Sequence, residues 1–429
     1  MNPAKRLPQG SRQGLKVSAP DMRARLEAPT TEFASVPKRR LGPPFRAPEA
    51  QGASFVELFF DLVFVFAVTQ VTAQTVERLD WEGAARALLI FWMIWWAWTQ
   101  WTWALNPADT EHAGVRATTL VATAVAFVMA ASVGQAFEGA GGVWFGASYV
   151  AVRTMGLWLY LAVASDHKKE FAAVQRFALA SVPGMVAFVA GGFAGDEARA
   201  WFWLAGVVLD IGAAMLAGSQ ADWRLHAGHF AERHGLFVII ALGESLIVVG
   251  TIAAGAEKTA DLVSVSIGAI VVACLLWWTY FGWLKDALEG RFENEPSASL
   301  GEFARDTFSL LHFPLVGGVI GIAIGFEEMV RHPDHHLETA GMVALAGGLV
   351  LFVGAAVAVW ARATRQLLAP RLVILTVLVV ALALAADAQP ALVLTIIAVA
   401  LVAIVAVEEV QTPGREAPNV DVTVGQPSP

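Results

Sequence analysis

The chain has 429 residues, of which 56% are hydrophobic and only 15% charged, with a formal net charge of −8. This excludes an ordinary soluble globular protein, in which about a quarter of residues are charged. A single cysteine, Cys274, lies inside an apolar run, which excludes a disulfide framework and a thiolate metal site. Residues 1–50 are rich in Pro, Arg and Lys without apolar periodicity; they read as a disordered, basic cytoplasmic tail, with no signal-peptide core before the first apolar run. Twelve apolar runs follow, each about the length that crosses ~30 Å of hydrocarbon. They cover 54–76, 83–104, 115–137, 143–165, 172–193, 200–218, 230–253, 263–284, 304–325, 339–361, 371–387 and 390–408. Only Ala388 and Gln389 separate the last two, and Pro390 opens the second, so a re-entrant pair is the alternative there. Residues 409–429 form a polar tail. The predicted fold class is all-α: a polytopic transmembrane helical bundle of about twelve helices.

Orientation follows from Lys and Arg alone. Of the 29 such residues, 23 fall on the side of the two termini, five (Arg78, Arg86, Arg199, Lys258, Arg331) fall opposite, and Arg153 lies within a span. The asymmetry places both termini in the cytoplasm and supports an even helix count. An internal repeat is also legible. Phe55–Glu57 recurs as Phe230–Glu232, Trp95–Trp101 as Trp277–Trp283, and the Arg116/Thr118/Phe137/Glu138 pattern as Arg305/Thr307/Phe326/Glu327. Six helices per copy is an even number. The copies, 54–218 and 226–408, are therefore expected to share one topology about an axis along the membrane normal.

Ionisable groups inside a span cost about 2.5–3.5 kcal/mol each at its centre, so they face the bundle interior and take partners. Glu57 and Asp61 lie one helical turn apart on one face, where two anions repel unless a cation sits between them or one is protonated. Glu57, at a helix amino-terminus, is expected to pair with Arg116, and Glu232 with Arg305 in the second copy. Asp61 has no acidic twin, because Leu236 stands at the matching place. Glu244, Asp210, Arg153, Thr69 and Gln70 share a depth near the midplane, with Ser245 beside Glu244; they are ion, proton or substrate candidates. His312, in the turn before Pro314, is either a proton relay or a packed imidazole at a kink. His226, His229 and Glu232 recur at three-residue spacing, and that set of N and O donors is the candidate metal site; Arg233 within it argues against metal affinity. The loop with His332, Asp334, His335 and His336 reads as solvated. The six tryptophans from Trp92 to Trp103 read as packing, with a stacking site for an aromatic or cationic ligand as the alternative. No phosphate-binding Gly loop, nucleophile elbow or nucleic-acid module is present, so no cofactor and no nucleic-acid partner is expected.

The segments "VELFFDLVFVFAVTQVT" and "HFAERHGLFVIIALGES" carry Glu57, Phe60, Asp61, Thr69, Gln70, Glu232, Arg233, His234, Gly235, Gly243, Glu244 and Ser245. Together, in this order and separation, they make the chain resemble the bacterial low-temperature-requirement A family over about 54–408. The resemblance implies a multi-pass membrane protein associated by name with growth at low temperature, and it implies no substrate or catalytic residue. The leading functional expectation is a secondary transporter or permease-like protein of the bacterial cytoplasmic membrane. Its partners are the lipid bilayer and a small solute or ion, coupled to protons or a cation through Asp61, Glu244 and Asp210. The second is an intramembrane enzyme or lipid-handling factor with a cytoplasmic-face His/Glu site, and the third a membrane scaffold or sensor.

Overall fold

The computed structural model describes residues 45–47, 52–218 and 223–411. Among them there is no β-strand beyond one isolated bridge, and the helices follow the apolar runs closely. They are α1 Phe55–Glu77, α2 Trp81–Leu105, α3 Ala113–Ala131, α4 Gly141–Ala164, α5 Lys168–Phe193 and α6 Asp196–Gly218. The second set is α7 Ala227–Gly255, α8 Ala260–Phe281, α9 Leu284–Glu293, α10 Leu300–Phe303, α11 His312–Arg331, α12 Thr339–Thr364, α13 Ala369–Leu384 and α14 Pro390–Gln411. Ten helical segments among the described residues are long and apolar enough to cross a membrane; α8 with α9, and α10 with α11, each count as one. The other two expected spans are α2 and α13. α2 has the length, at 25 residues, and its tryptophans lower its mean hydropathy. α13 has only 16 residues, about 24 Å of helix, which is short of the hydrocarbon thickness. The expected tails of 1–50 and 409–429 lie almost wholly outside the described residues. Phe45–Ala47 are an exception to the expected disorder, since they lie along the α2–α3 loop through Ala47 N–Pro107 O and Asp109 N–Phe45 O bonds of 3.1 and 2.7 Å.

Helix packing explains which spans sit inside. α1 packs on α2, α3, α7 and α11, and so occupies the centre. The most apolar stretch of the α10–α11 segment is 67% buried, against 28% for α5, which places α11 inside and α5 at the periphery. α11 and α12 approach through glycines: a Cβ on Gly348 would lie 2.6 Å from Ile322 N and 2.7 Å from Gly318 O. Small residues allow this backbone contact where no hydrophobic force drives helices together. α13 and α14 close as a hairpin. Arg371 in the first turn of α13 pairs with Glu408 near the end of α14, and Trp283 donates 2.7 Å to the same carboxylate.

The ninth apolar run was expected to be one helix kinked at Pro314. Instead, Ala304–Leu310 is π-helical and α11 begins at His312. Proline therefore falls in the first turn of a new helix, where its missing N–H has no intrahelical partner to lose. His312 Nδ1 lies 2.9 Å from the Thr307 carbonyl freed by the wide turn.

The Gly348 contact makes a matched prediction. Gly348→Ala forces α11 and α12 apart and lowers stability by about 1–3 kcal/mol, the usual cost of overpacking. Gly347→Ala, where a Cβ meets nothing within 4 Å, leaves it unchanged. Thermal denaturation of the two purified variants in detergent checks the difference.

Candidate functional site

The first two turns of α1 and of α7 meet, and each presents two polar side chains four residues apart on one face. On α1 these are Glu57 and Asp61; on α7 they are His229 and Arg233. All four are at most 3% exposed. Ser54 donates from its backbone N and its Oγ to Glu57 Oε2 at 2.9 and 2.8 Å. The carboxylate thus satisfies one of the free N–H groups at the helix start and lies at the favourable end of its dipole. Arg233 spans the two acids: Nη1 is 3.3 Å from Glu57 Oε1 and Nη2 donates to Asp61 Oδ1. Trp98 of α2 donates from Nε1 to the same Asp61 oxygen at 2.7 Å, and the guanidinium lies 5.8 Å over the Trp98 ring. His229 Nε2 is 3.1 Å from Glu57 Oε1.

His229 joins this cluster to the end of α2. His229 Nε2 faces a carboxylate, and its Nδ1 faces the Asn106 carbonyl at 3.4 Å. Both neighbours are acceptors, and the buried set comprises two carboxylates, one guanidinium and one imidazole. Asn106 also clamps the start of α7 to the end of α2. Its Oδ1 accepts from His226 N at 2.8 Å and its Nδ2 donates to His226 O at 2.9 Å. Beside it, burial holds the His226 imidazole below its ordinary pKa, with the charges of His229 and Arg46 adding to the effect.

These contacts revise the pairings expected from depth. Arg116 reaches Glu111 at 2.7 Å and Arg305 reaches Asp306 at 2.7 Å; neither meets the acid assigned to it. Both are partly exposed at helix starts, where a nearby loop or adjacent acid is closer than one across the bundle. Glu232 instead accepts from Ala53 N at 2.9 Å. His229 meets Glu57 and Glu232 meets the Ala53 amide, and among the described residues no three His, Cys, Asp or Glu side chains are grouped to hold a metal. His335 sits 3.0 Å from Asp334 in the exposed loop, and its hydrogen bond holds that carboxyl below the usual range.

The midplane group divides in two. Arg153 of α4 and Asp210 of α6 form a fully buried two-pronged pair at 2.5 and 3.2 Å. Tyr149 accepts from Arg153 Nη1 at 2.8 Å, and Gln100, rather than Gln70, accepts from Arg153 Nε and returns a 2.9 Å bond to its carbonyl. Thr69, Glu244 and Ser245 instead line a cavity of about 20 Å³ between α1, α7 and α11, room for about one water. Glu244 is half-buried, and no hydrogen bond or ion pair reaches it among the described residues. Gln70 belongs to neither group. His312 lies 2.7 Å from the Tyr280 hydroxyl, with the His234 ring 5.5 Å away. Sequence reading placed no weight on Arg233, Trp98 or Asn106 as site residues. The signal that finds Arg233 is its own spacing: His229 to Arg233 repeats the four-residue step of Glu57 to Asp61, as a basic pair answering an acidic one.

The family model described as bacterial low temperature requirement A protein (LtrA) matches residues 52–407, and the chain belongs to that family. It is 29% identical over 313 residues, covering 70% of this chain and 75% of the relative, to an uncharacterized protein of Rhizobium meliloti (strain 1021). No solved structure matches the chain.

Arg233→Leu strands two carboxylates in a buried site and is expected to cost about 3–5 kcal/mol. Asp61→Asn leaves Arg233 paired with Glu57 and costs less. The double variant recovers part of the Arg233→Leu loss. Melting temperatures of the four proteins in one detergent measure the coupling.

Proposed function

We propose that this family member is a secondary, permease-like transporter coupled to protons, with the coupling proton on the Glu57–His229 pair. The observation that carries the reading is the buried His229 ring with both nitrogens facing acceptors, set in a cluster that is neutral only while it holds that proton. When the proton leaves, Glu57 and Asp61 share a single guanidinium. One net negative charge then remains in a low-dielectric site, where uncompensated charge costs several kcal/mol. Separating α1 from α7 admits water and relieves that cost. α1 and α7 are the equivalent helices of the proposed repeats, 54–218 and 226–408, so the titrating cluster lies on the seam along which two halves rock in alternating access. Glu244 is the second protonation position in this scheme. It faces Thr69, eight residues or about 12 Å further along α1 than Asp61. Asp210 is not part of it, because Arg153 already neutralises that carboxylate.

The distribution of Lys and Arg, 23 against five, supports a cytoplasmic-membrane location with both termini in the cytoplasm. The solute is a small molecule or ion that moves with the proton.

Liposomes holding purified protein and a trapped pH-sensitive dye test the proposal. A panel of organic acids, amines, sugars and inorganic ions is expected to include one that changes the internal pH. His229→Asn and Glu244→Gln, each confirmed as folded by size-exclusion chromatography, abolish that response. A panel with no responder, and variants indistinguishable from the native chain, overturns it.

A further inference from the structure

A second feature lies at the opposite end of α1 from the charge cluster. Between α2 and α12, over α11, runs a groove of about 650 Å³, a volume in the range of ligand sites. Gly317 and Gly321 of α11 form its floor, Ala84 and Leu88 of α2 one wall, and Val343 and Gly347 of α12 the other. Glycines give it depth. A Cβ on Gly347 would meet nothing within 4 Å, and one on Gly317 only the Phe91 ring, at 3.3 Å. α2 belongs to the first proposed repeat, and α11 and α12 to the second, so the groove lies on their seam. The contacts of Glu57, Asp61 and Asn106 with α7 join that seam at its other end.

The groove is graded from polar to apolar. At one end stand Asp80, Trp81 and Thr339, where α2 and α12 begin. Asp80 accepts from Gly83 N at 2.7 Å, and Thr75, the one other polar lining residue, donates to the Val71 carbonyl at 2.7 Å. From there to Phe91 and Leu351 the lining is apolar. Trp81 to Phe91 is ~15 Å of helix and Thr339 to Leu351 ~18 Å, about half of a ~30 Å hydrocarbon core and so the depth of one leaflet. The rim opens sideways. Leu88 is 58% exposed, Val343 55% and Leu351 44%, and α12 is one of the apolar spans, so the medium at this rim is hydrocarbon. Water suits the groove poorly, because an ordered water needs about two to four polar partners. An empty groove forfeits the dispersion contacts of its lining.

From this we propose that the groove holds one acyl chain of a membrane phospholipid, with the polar head at the Trp81–Thr339 end. The length of the groove matches one leaflet, its grading matches an amphiphile, and its rim opens where acyl chains are. Trp81, 87% exposed, places an amphipathic ring at the level of the head. The bound chain fills the seam between α2 and α12 and packs against both repeats. The site is independent of the transport reading, since it needs no proton and none of its residues belongs to the Glu57 cluster.

Photolabelling of the full chain in phosphatidylcholine vesicles tests the proposal. A trace of the lipid carries a diazirine partway along one acyl chain, and labelled peptides are mapped by mass spectrometry after irradiation. Label is expected several-fold denser on residues 81–91 and 339–351 than on the exposed face of α5 around Leu179 and Val186. Gly347→Trp, which puts an indole into the groove, removes that excess and leaves the α5 label unchanged. Ala84→Phe fills the groove from the opposite wall, has the same effect, and serves where Gly347→Trp does not fold. Val186→Trp, a large side chain added on α5, leaves the groove label as it was. Label spread evenly over all exposed helix faces means ordinary contact with surrounding lipid and overturns the site. An excess that persists in folded Gly347→Trp or Ala84→Phe overturns it too. Because labelling needs neither a proton gradient nor a solute, a failed transport assay leaves this result standing, and the reverse holds.

Discussion

One guanidinium group, that of Arg233, organises the centre of the bundle. It lies between Glu57 and Asp61, which at one helical turn apart repel each other in the absence of a cation. Because the charges are buried, they do not wait for solvent to settle them, and the surrounding structure is arranged around that fact. Trp98 supplies a donor to Asp61 and a ring face to Arg233. Asn106 holds the start of α7 in register with α2, which fixes where His229 and Arg233 emerge. α1 consequently sits at the centre of the bundle rather than at its lipid-facing edge.

The two buried charge clusters differ in how completely they are satisfied, and that difference separates their roles. In the Arg153–Asp210 cluster both carboxylate oxygens meet the guanidinium, and Tyr149 and Gln100 take up the remaining capacity. A fully satisfied buried network rigidifies the fold around it. In the Glu57 cluster, Asp61 Oδ2 and Arg233 Nε have no hydrogen-bond partner among the described residues. That cluster retains unused donors and acceptors. Its arrangement can change without breaking a complete network, which suits a site that moves protons.

Much of this was legible in the sequence at the level of elements. Twelve apolar runs correspond to helices because a span must satisfy its backbone internally, which leaves few alternatives. Proximity was legible in part: Arg153 pairs with Asp210, and Thr69, Glu244 and Ser245 line one cavity. Rotation about each helix axis was not. Arg153 and Asp210 were grouped with Glu244 and Thr69 by depth, yet the two pairs face different neighbours, and Gln100 rather than Gln70 completes the first. The Arg116 pairing failed for a related reason, since two helix starts on one side of a membrane need not be adjacent. The π-helical turn was hidden too. Proline announces a break but does not say whether the chain bends, widens or starts again.

The proposed repeats differ in charge where α1 and α7 meet. At the common offset, Ser54, Glu57, Leu58 and Asp61 of α1 correspond to His229, Glu232, Arg233 and Leu236 of α7. In the proposed repeat, α1 and α7 are equivalent helices, and their contact is self-complementary: what α1 does to α7 is mirrored by what α7 does to α1. Glu57 meets His229 and Arg233; in mirror, Glu232 meets the segment before α1, and there accepts from Ala53 N. The second contact is made by a backbone amide because Ser54 and Leu58 stand where the other copy has His and Arg. Had both copies kept the basic pair, the seam would hold two imidazoles and two guanidinium groups at close quarters. Basic residues on one helix and the second acid on the other leave a single charged cluster where α1 and α7 meet.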